Sequence, residues 1–202
     1  MAGMRVFVAL GLPGHLRDQL EEFVESRRDS DRHPLHRTER SAEWSWTIPE
    51  QWHLTLAFAG EVSQHQLERW EDHLADLAER TDPLELRIRG AGAFPHPDAA
   101  KVLWAGVEGP LLDELAARVR TAASRAGVRI DGQRFVPHLT MARSRRGVSA
   151  LRWVRVFDTV ELGPWPVEQI DLVESQWAGP RHRAVHHVVS RHRLGAGRHH
   201  QG

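Results

Sequence analysis

The chain of 202 residues contains no cysteine and no tyrosine. Thiol and phenolate nucleophiles, disulfides and cysteine-held zinc are therefore excluded. Lysine is nearly absent too, since of 27 basic residues every one but Lys101 is arginine. A ligase that carries its nucleotide on a lysine would have only Lys101, and the Val102-Leu103-Trp104 that follows it reads as a buried strand. Arginine's forked donor suits phosphate, but a bias spread along the whole chain reflects coding composition first. The 27 basic residues are balanced by 27 acidic ones, so no global field draws the protein to nucleic acid or an acidic membrane. Any phosphate binding must be local. No apolar run approaches the roughly eighteen residues of a membrane span, and Val6 to Leu10 is too short, and too soon followed by Gly11 and Pro13, for a span or a signal sequence. A soluble, cytoplasmic protein is expected, with its chemistry left to histidine, serine, threonine and carboxylates.

Two stretches answer that requirement. His53-Leu54-Thr55-Leu56 and His138-Leu139-Thr140-Met141 are one pattern written twice. In a strand, residues two apart share a face and lie about 6.8 Å apart along it. Each copy thus offers an imidazole and a hydroxyl on one side, while Leu54 and Leu56, or Leu139 and Met141, turn toward a core and fix the register.

The elements around these motifs can be taken in order. Arg5 to Leu10 reads as a buried strand, and Pro13 opens a helix with Leu16, Leu20, Phe23 and Val24 at helical spacing. Arg27 to Arg40 turns polar, contains Pro34 and is expected to be a mobile loop. Pro49-Glu50-Gln51 leads into a strand from His53 to Phe58, ended by Gly60. Ser63 and Gln66 form a capping-box signature for a helix that buries Leu67, Trp70, Leu74, Leu77 and Ala78. Leu84 to Ile88 alternates as a strand. The glycines and prolines from Gly90 to Pro97 then predict a loop before the strand Val102 to Val107. A proline-rich loop after Gly90-x-Gly92 argues against a dinucleotide fingerprint, which needs a helix there. A helix with Leu112, Leu115, Ala116, Val119 and Ala123 on one side closes at Gly127. Val128 to Ile130 begins a short strand, Asp131-Gly132 turns, and Phe135-Val136-Pro137 delivers the second motif. Ala150 to Phe157 reads as a helix, with strands at Val167 to Glu174 and Ala184 to Ser190. The halves echo one another as a degenerate repeat, giving an α+β protein of six or more strands. Residues 1–194 are expected to form one domain and 195–202 a disordered tail.

The flanks of the paired motifs carry a resemblance. RVFVAL at Arg5, WHLTLAFAGEV at Trp52, GAGAFP at Gly90, KVLWAGVEG at Lys101 and RFVPHLTMAR at Arg134 resemble the RNA 2′,3′-cyclic phosphodiesterases, also called the 2′-5′ RNA ligase family, of the two-histidine phosphoesterase superfamily. The likeness spans roughly residues 4 to 177. It departs at Gly179-Pro180, which Arg181-His182-Arg183-Ala184 follow where the family places an aromatic residue, so edge packing or substrate contact is expected to differ there. The resemblance implies a bilobal fold of two pseudo-symmetric antiparallel sheet lobes, with helices outside and a central cleft. It also implies hydrolysis of RNA 2′,3′-cyclic phosphate ends to 2′-phosphomonoesters, with 2′-5′ end joining as a side activity. The residues agree with this chemistry. In-line opening of a cyclic phosphate needs a base on water and an acid on the leaving ribose oxygen, and His53 and His138 supply both near neutral pH.

Thr55 and Thr140 would donate to the non-bridging oxygens. Arg143 is a third phosphate ligand by resemblance. Lying five residues past His138, it would be aimed away by perfect alternation, so the strand must end or bulge there. The resemblance assigns water activation to His138 and leaving-group protonation to His53, whereas the near-symmetry of the motifs leaves those roles open. No metal and no cofactor are expected. His182, His186, His187 and His192 have some tempting spacings but no accompanying carboxylate cluster. Trp44, Trp46, Trp52 and Phe135 are candidates either for base stacking or for packing. The partner expected is RNA with a cyclic phosphate end, or a cyclic nucleotide, and the protein a monomer with no protein partner. Two other readings stand beside this one: an RNA- or nucleotide-binding module without turnover, and a phosphodiesterase for a small cyclic nucleotide.

Overall fold

The computed structural model describes residues 3–32, 44–131, 134–178 and 183–195. The elements are β1 (Met4–Gly11), α1 (Gly14–Arg32), β2 (Ser45–Trp46), β3 (His53–Val62), α2 (Gln64–Glu79), β4 (Leu84–Phe94), β5 (Ala100–Glu108), α3 (Leu112–Arg125), β6 (His138–Val148), α4 (Leu151–Phe157), β7 (Glu161–Val167), β8 (Gln169–Ala178) and β9 (Arg183–Arg193). The strands pair antiparallel in one sheet of order β7-β4-β5-β6-β3-β1-β8-β9, with the short β2 alongside β6.

That order contains the two lobes. One is β6-β5-β4-β7 and the other β3-β1-β8-β9, and they meet where β3 pairs β6 through Leu54 and Leu139. The helices explain which face is covered. Leu16 and Leu20 of α1, Trp70 and Leu74 of α2, Leu115 and Val119 of α3, and Trp153 and Phe157 of α4 join one buried cluster with the inward residues of both motif strands. Burying a large apolar side chain is worth about 1.5–3 kcal/mol, so this cluster holds the lobes in place from behind. The Ser63 capping box forms as the pattern predicts, with Ser63 N–H donating to Gln66 Oε1 at 2.9 Å and Gln66 N–H to Ser63 Oγ at 3.3 Å. Gly127, at φ +74°, closes α3 from the left-handed region.

The strands differ most from the sequence expectations. β3 runs through Gly60 to Val62, and β4 runs through Gly90 and Gly92 to Phe94, absorbing a register shift between Ile88 and Ala91 where a loop was expected. Gly92 is required there for space, because a Cβ would come within 2.2 Å of the Trp104 ring. α1 continues through Arg27 to Arg32, since a charged stretch is compatible with a helix and Pro34 lies beyond its end. Val128 to Ile130 forms no strand, and the chain makes only an isolated bridge from Asp131 to Phe58. β7 was not anticipated because Pro164 and Pro166 interrupt it, and as an outer strand of the sheet it tolerates them. The rest of the expected loop, 33–40, the turn residue Gly132, Gly179 to His182 and the tail from 196 onward lie outside the described residues. No helix among those described is long and apolar enough to cross a membrane.

Candidate active site

β3 and β6 are built alike at their amino-terminal ends. His53 pairs across to Gly11 of β1, and His138 to Gly106 of β5. Gly106 admits no side chain, since a Cβ would lie 2.3 Å from the Arg89 carbonyl oxygen. Between the motifs, Leu54 is opposite Leu139. Leu54 and Leu139 point to the same side at this rung, so His53 and Thr55, which flank the one, share the opposite face with His138 and Thr140, which flank the other. All four are partly buried, whereas Leu54, Leu56, Leu139 and Met141 are fully buried on the helix side.

Each strand then bulges at the same place. On β3 the partner of Ala9 is Thr55 and that of Val8 is Ala57, which leaves Leu56 as the extra residue. On β6 the partner of Trp104 is Thr140 and that of Leu103 is Ala142, leaving Met141 as the extra one. A bulge shifts the alternation by one, so the fifth residue after each histidine returns to the motif face. These residues are Phe58 and Arg143. Phe58 packs on a small separate cluster of Phe7, Ala9 and Val173, away from the main core. Arg143 is exposed, and its charge acts on both imidazoles.

The imidazoles are held identically. His53 Nδ1 lies 2.7 Å from the Gln51 carbonyl oxygen and His138 Nδ1 2.7 Å from that of Val136, each two residues upstream. A carbonyl only accepts, so each Nδ1 carries hydrogen and donates it. Nε2 is left in both rings as the nitrogen that can exchange a proton with a substrate. Aromatic rings pack around each. Phe7 stacks on His53 at 4.8 Å with an interplanar angle of 22°, and Phe94 meets His138 edge-on at 5.2 Å and 80°.

Burial and neighbouring charge favour the neutral imidazoles. His53 is pushed down to about 4, first by burial, then by His186, His138 and Arg143, against the opposing pull of its Gln51 hydrogen bond. His138 is also lowered, by burial and then by Arg143, with the Val136 hydrogen bond opposing. Two imidazoles on neighbouring strands, each with Nδ1 tied to a carbonyl, share their face with two hydroxyls and a guanidinium, a set of groups that can hold an anion and exchange protons with it.

Other sequence candidates fall elsewhere. Trp44 and Trp52 are buried in the main core, Phe135 packs against it, and Trp46 lies edge-on to Trp153 at 4.6 Å. These side chains serve packing. No group of three or more metal-ligating side chains gathers among the described residues. Of the carboxyl-terminal histidines, His192 contacts Ser190 Oγ at 3.0 Å, His187 is exposed and His182 lies outside the described residues. His186 is different: its ring stands 5.3 Å from that of His53. Nothing local in the sequence marks it, because 133 residues separate Gln51, just before the first motif, from Ala184, two before His186.

A family model described as LigT like Phosphoesterase matches residues 10–104 and 107–182. An RNA 2′,3′-cyclic phosphodiesterase of Methanothermobacter thermautotrophicus is 31% identical over 183 residues, covering 88% of this chain and 94% of that one. One of Thermus thermophilus is 35% identical over 182 residues, covering 86% and 82%. Among solved structures, TT0787 of Thermus thermophilus superposes with a TM-score of 0.72 at 28% identity, over 97% of this chain and 100% of its own. Escherichia coli LigT complexed with 3′-AMP shares the fold at a TM-score of 0.70 and 24% identity, over 95% and 98%. Both lobes and both motif strands fall within these matches, and the chain belongs to the LigT-like phosphoesterase family.

Proposed function

We propose that the protein hydrolyses the 2′,3′-cyclic phosphate end of RNA to a 2′-phosphomonoester, with His53 and His138 as its acid and base. The observation that carries this reading is the matched pair of imidazoles on neighbouring strands, each with Nδ1 tied to a carbonyl and Nε2 free. A binding module would need no such duplicate. The relatives named RNA 2′,3′-cyclic phosphodiesterase supply the substrate class. In the reaction one neutral imidazole takes a proton from water as its oxygen bonds to phosphorus. The P–O3′ bond breaks on the far side, and the other imidazole, protonated, gives its proton to O3′. Thr55 and Thr140 donate to the non-bridging oxygens, and Arg143 offers its forked donor to the same charge. With the 5′-hydroxyl of a second RNA in place of water, the same steps give a 2′-5′ linkage without ATP.

The roles of the two histidines are separable. Burial lowers both imidazoles, and Arg143 acts on both, while His186 and His138 act on His53. The assignment implied by the resemblance, His138 as base and His53 as acid, is tested with a substrate that carries sulfur at the bridging 3′ position.

The test is a panel of 2′,3′-cyclic mononucleotides and cyclic-ended oligonucleotides, with products identified by phosphorus NMR. Only 2′-phosphates are expected, and preference for oligonucleotides or mononucleotides separates RNA ends from a small cyclic nucleotide as substrate. Turnover should survive exhaustive chelation, because two imidazoles already account for both proton transfers. Loss with EDTA and rescue by a divalent ion would indicate a metallohydrolase.

The phosphate contacts carry their own prediction. Thr140→Val keeps size and β propensity while deleting one hydroxyl, and should lower kcat about tenfold to a hundredfold with the fold intact. Arg143→Lys should also lower it, since a point charge cannot reproduce the fork. Wild-type kinetics in Thr140→Val would reduce Thr140 to a strand former.

A further inference from the structure

The pairing of β1 with β8 runs from Asp171 to Glu174. Beyond it the two arms of the β8–β9 hairpin continue to pair with each other as far as Ala178 and Arg183. This outer part comes back to the motif face. The Ala184 carbonyl accepts a hydrogen bond from Gln51 Nε2 at 2.9 Å, and the carbonyl of the same Gln51 receives His53 Nδ1–H. One residue therefore ties the hairpin to the imidazole.

His186, two residues on, completes a three-ring group. Its ring lies 5.0 Å from Phe7 at 71° and 5.3 Å from His53 at 80°, while Phe7 stacks on His53. In the other lobe Phe94 meets His138 at 5.2 Å and the same 80°. His186 thus holds beside His53 the station that Phe94 holds beside His138, with a titratable ring in place of a hydrocarbon one.

We infer that His186 is a positioning residue of the active site: it braces His53 edge-on, as Phe94 braces His138, and it sets a titratable ring beside one imidazole of the pair and not the other. This rests on the acid-base reading of His53 given above. The charged groups that face His53 are His186 from β9 and His138 and Arg143 from β6, and His186 itself is faced by His187. Of these, Arg143 acts on both motif histidines, whereas His186 acts on His53 and not on His138. A proton on His186 opposes one on the adjacent His53 ring.

The experiment is a histidine titration by NMR on the ligand-free full chain, paired with kcat and KM against pH on 2′,3′-cyclic AMP. The variants are His186→Phe, which keeps a ring and deletes the charge, and His186→Gln, which deletes both. In His186→Phe the His53 midpoint should rise by on the order of one pH unit while that of His138 stays in place, and the kcat/KM profile should move with it. In His186→Gln the midpoint should rise likewise, and kcat should fall about tenfold through loss of the brace, with KM near its wild-type value. A His53 midpoint within about 0.2 pH unit of wild type in both variants would overturn the inference. A fully active His53→Ala would instead remove the acid-base reading beneath it, so the two failures are distinguishable.

Discussion

His53→Ala and His138→Ala are each expected to lower kcat by about a hundredfold to ten-thousandfold, the usual loss when a proton-transfer group is removed. The double variant should be little worse than either single one, because residues acting as a unit are not additive. A substrate with sulfur at the bridging 3′ position then separates the roles. A thiolate leaves without a proton, so this substrate should restore much of the rate to the variant lacking the acid and none to the variant lacking the base. Rescue of His53→Ala would make His53 the acid, as the resemblance implies, and rescue of His138→Ala would establish the opposite assignment. The pH profiles add a second check. Both imidazoles titrate below 6.5 in the free protein, so kcat/KM should peak on the acid side of that value. The optimum of kcat should lie higher, since the bound phosphoryl charge favours the protonated pair. Additive losses, or a rate independent of pH between about 4 and 8, would count against a paired mechanism.

Acid should weaken the fold itself, and His53 should account for much of the loss. Its pKa falls from 6.5 in the unfolded chain to about 4 in the folded one. Above 6.5 both states are neutral and the full contribution to stability is present. As the pH falls from 6.5 toward 4, the unfolded chain binds the proton first and the native state is penalised, by roughly 3 kcal/mol at pH 4. His138, His186 and His192 are shifted in the same direction and add to the slope. His53→Phe, which keeps an aromatic ring against Phe7, should lose distinctly less stability than wild type between pH 7 and pH 4 in urea unfolding. Parallel curves for the two proteins would mean that the imidazole is solvated in the native state.

The motifs were legible because a period of two and an apolar reverse face are local properties. Capping at Ser63 and the four amphipathic helices were legible for the same reason, except at the end of α1, where a solvated helix and a loop share a composition. Gly60, Gly90 and Gly92 misled in the opposite sense. A glycine within a strand and a glycine that ends one look alike until the neighbour is known, here the Trp104 ring over Gly92. The position of Arg143 required a bulge that no residue type announces, since Leu56 and Met141 are ordinary strand formers. The histidines near the carboxyl terminus invited a metal reading, whereas His186 gains its meaning only from a hairpin that returns to Gln51.

The junction of the lobes has a mechanical consequence. β3 and β6 themselves pair at the Leu54 and Leu139 rung, while β2 beside β6, the bridge from Asp131 to Phe58 and the continuous core behind the sheet carry the rest of the load. On the proposed acid-base reading catalysis depends on the gap between two nitrogens, and the apolar side chains of the rung, turned to the opposite face, would gauge it. The angle at which the lobes open is then a packing variable. A methylene gained or lost under the rung would re-space the acid and the base together, altering the fit to phosphorus while every polar group in the site remained in place.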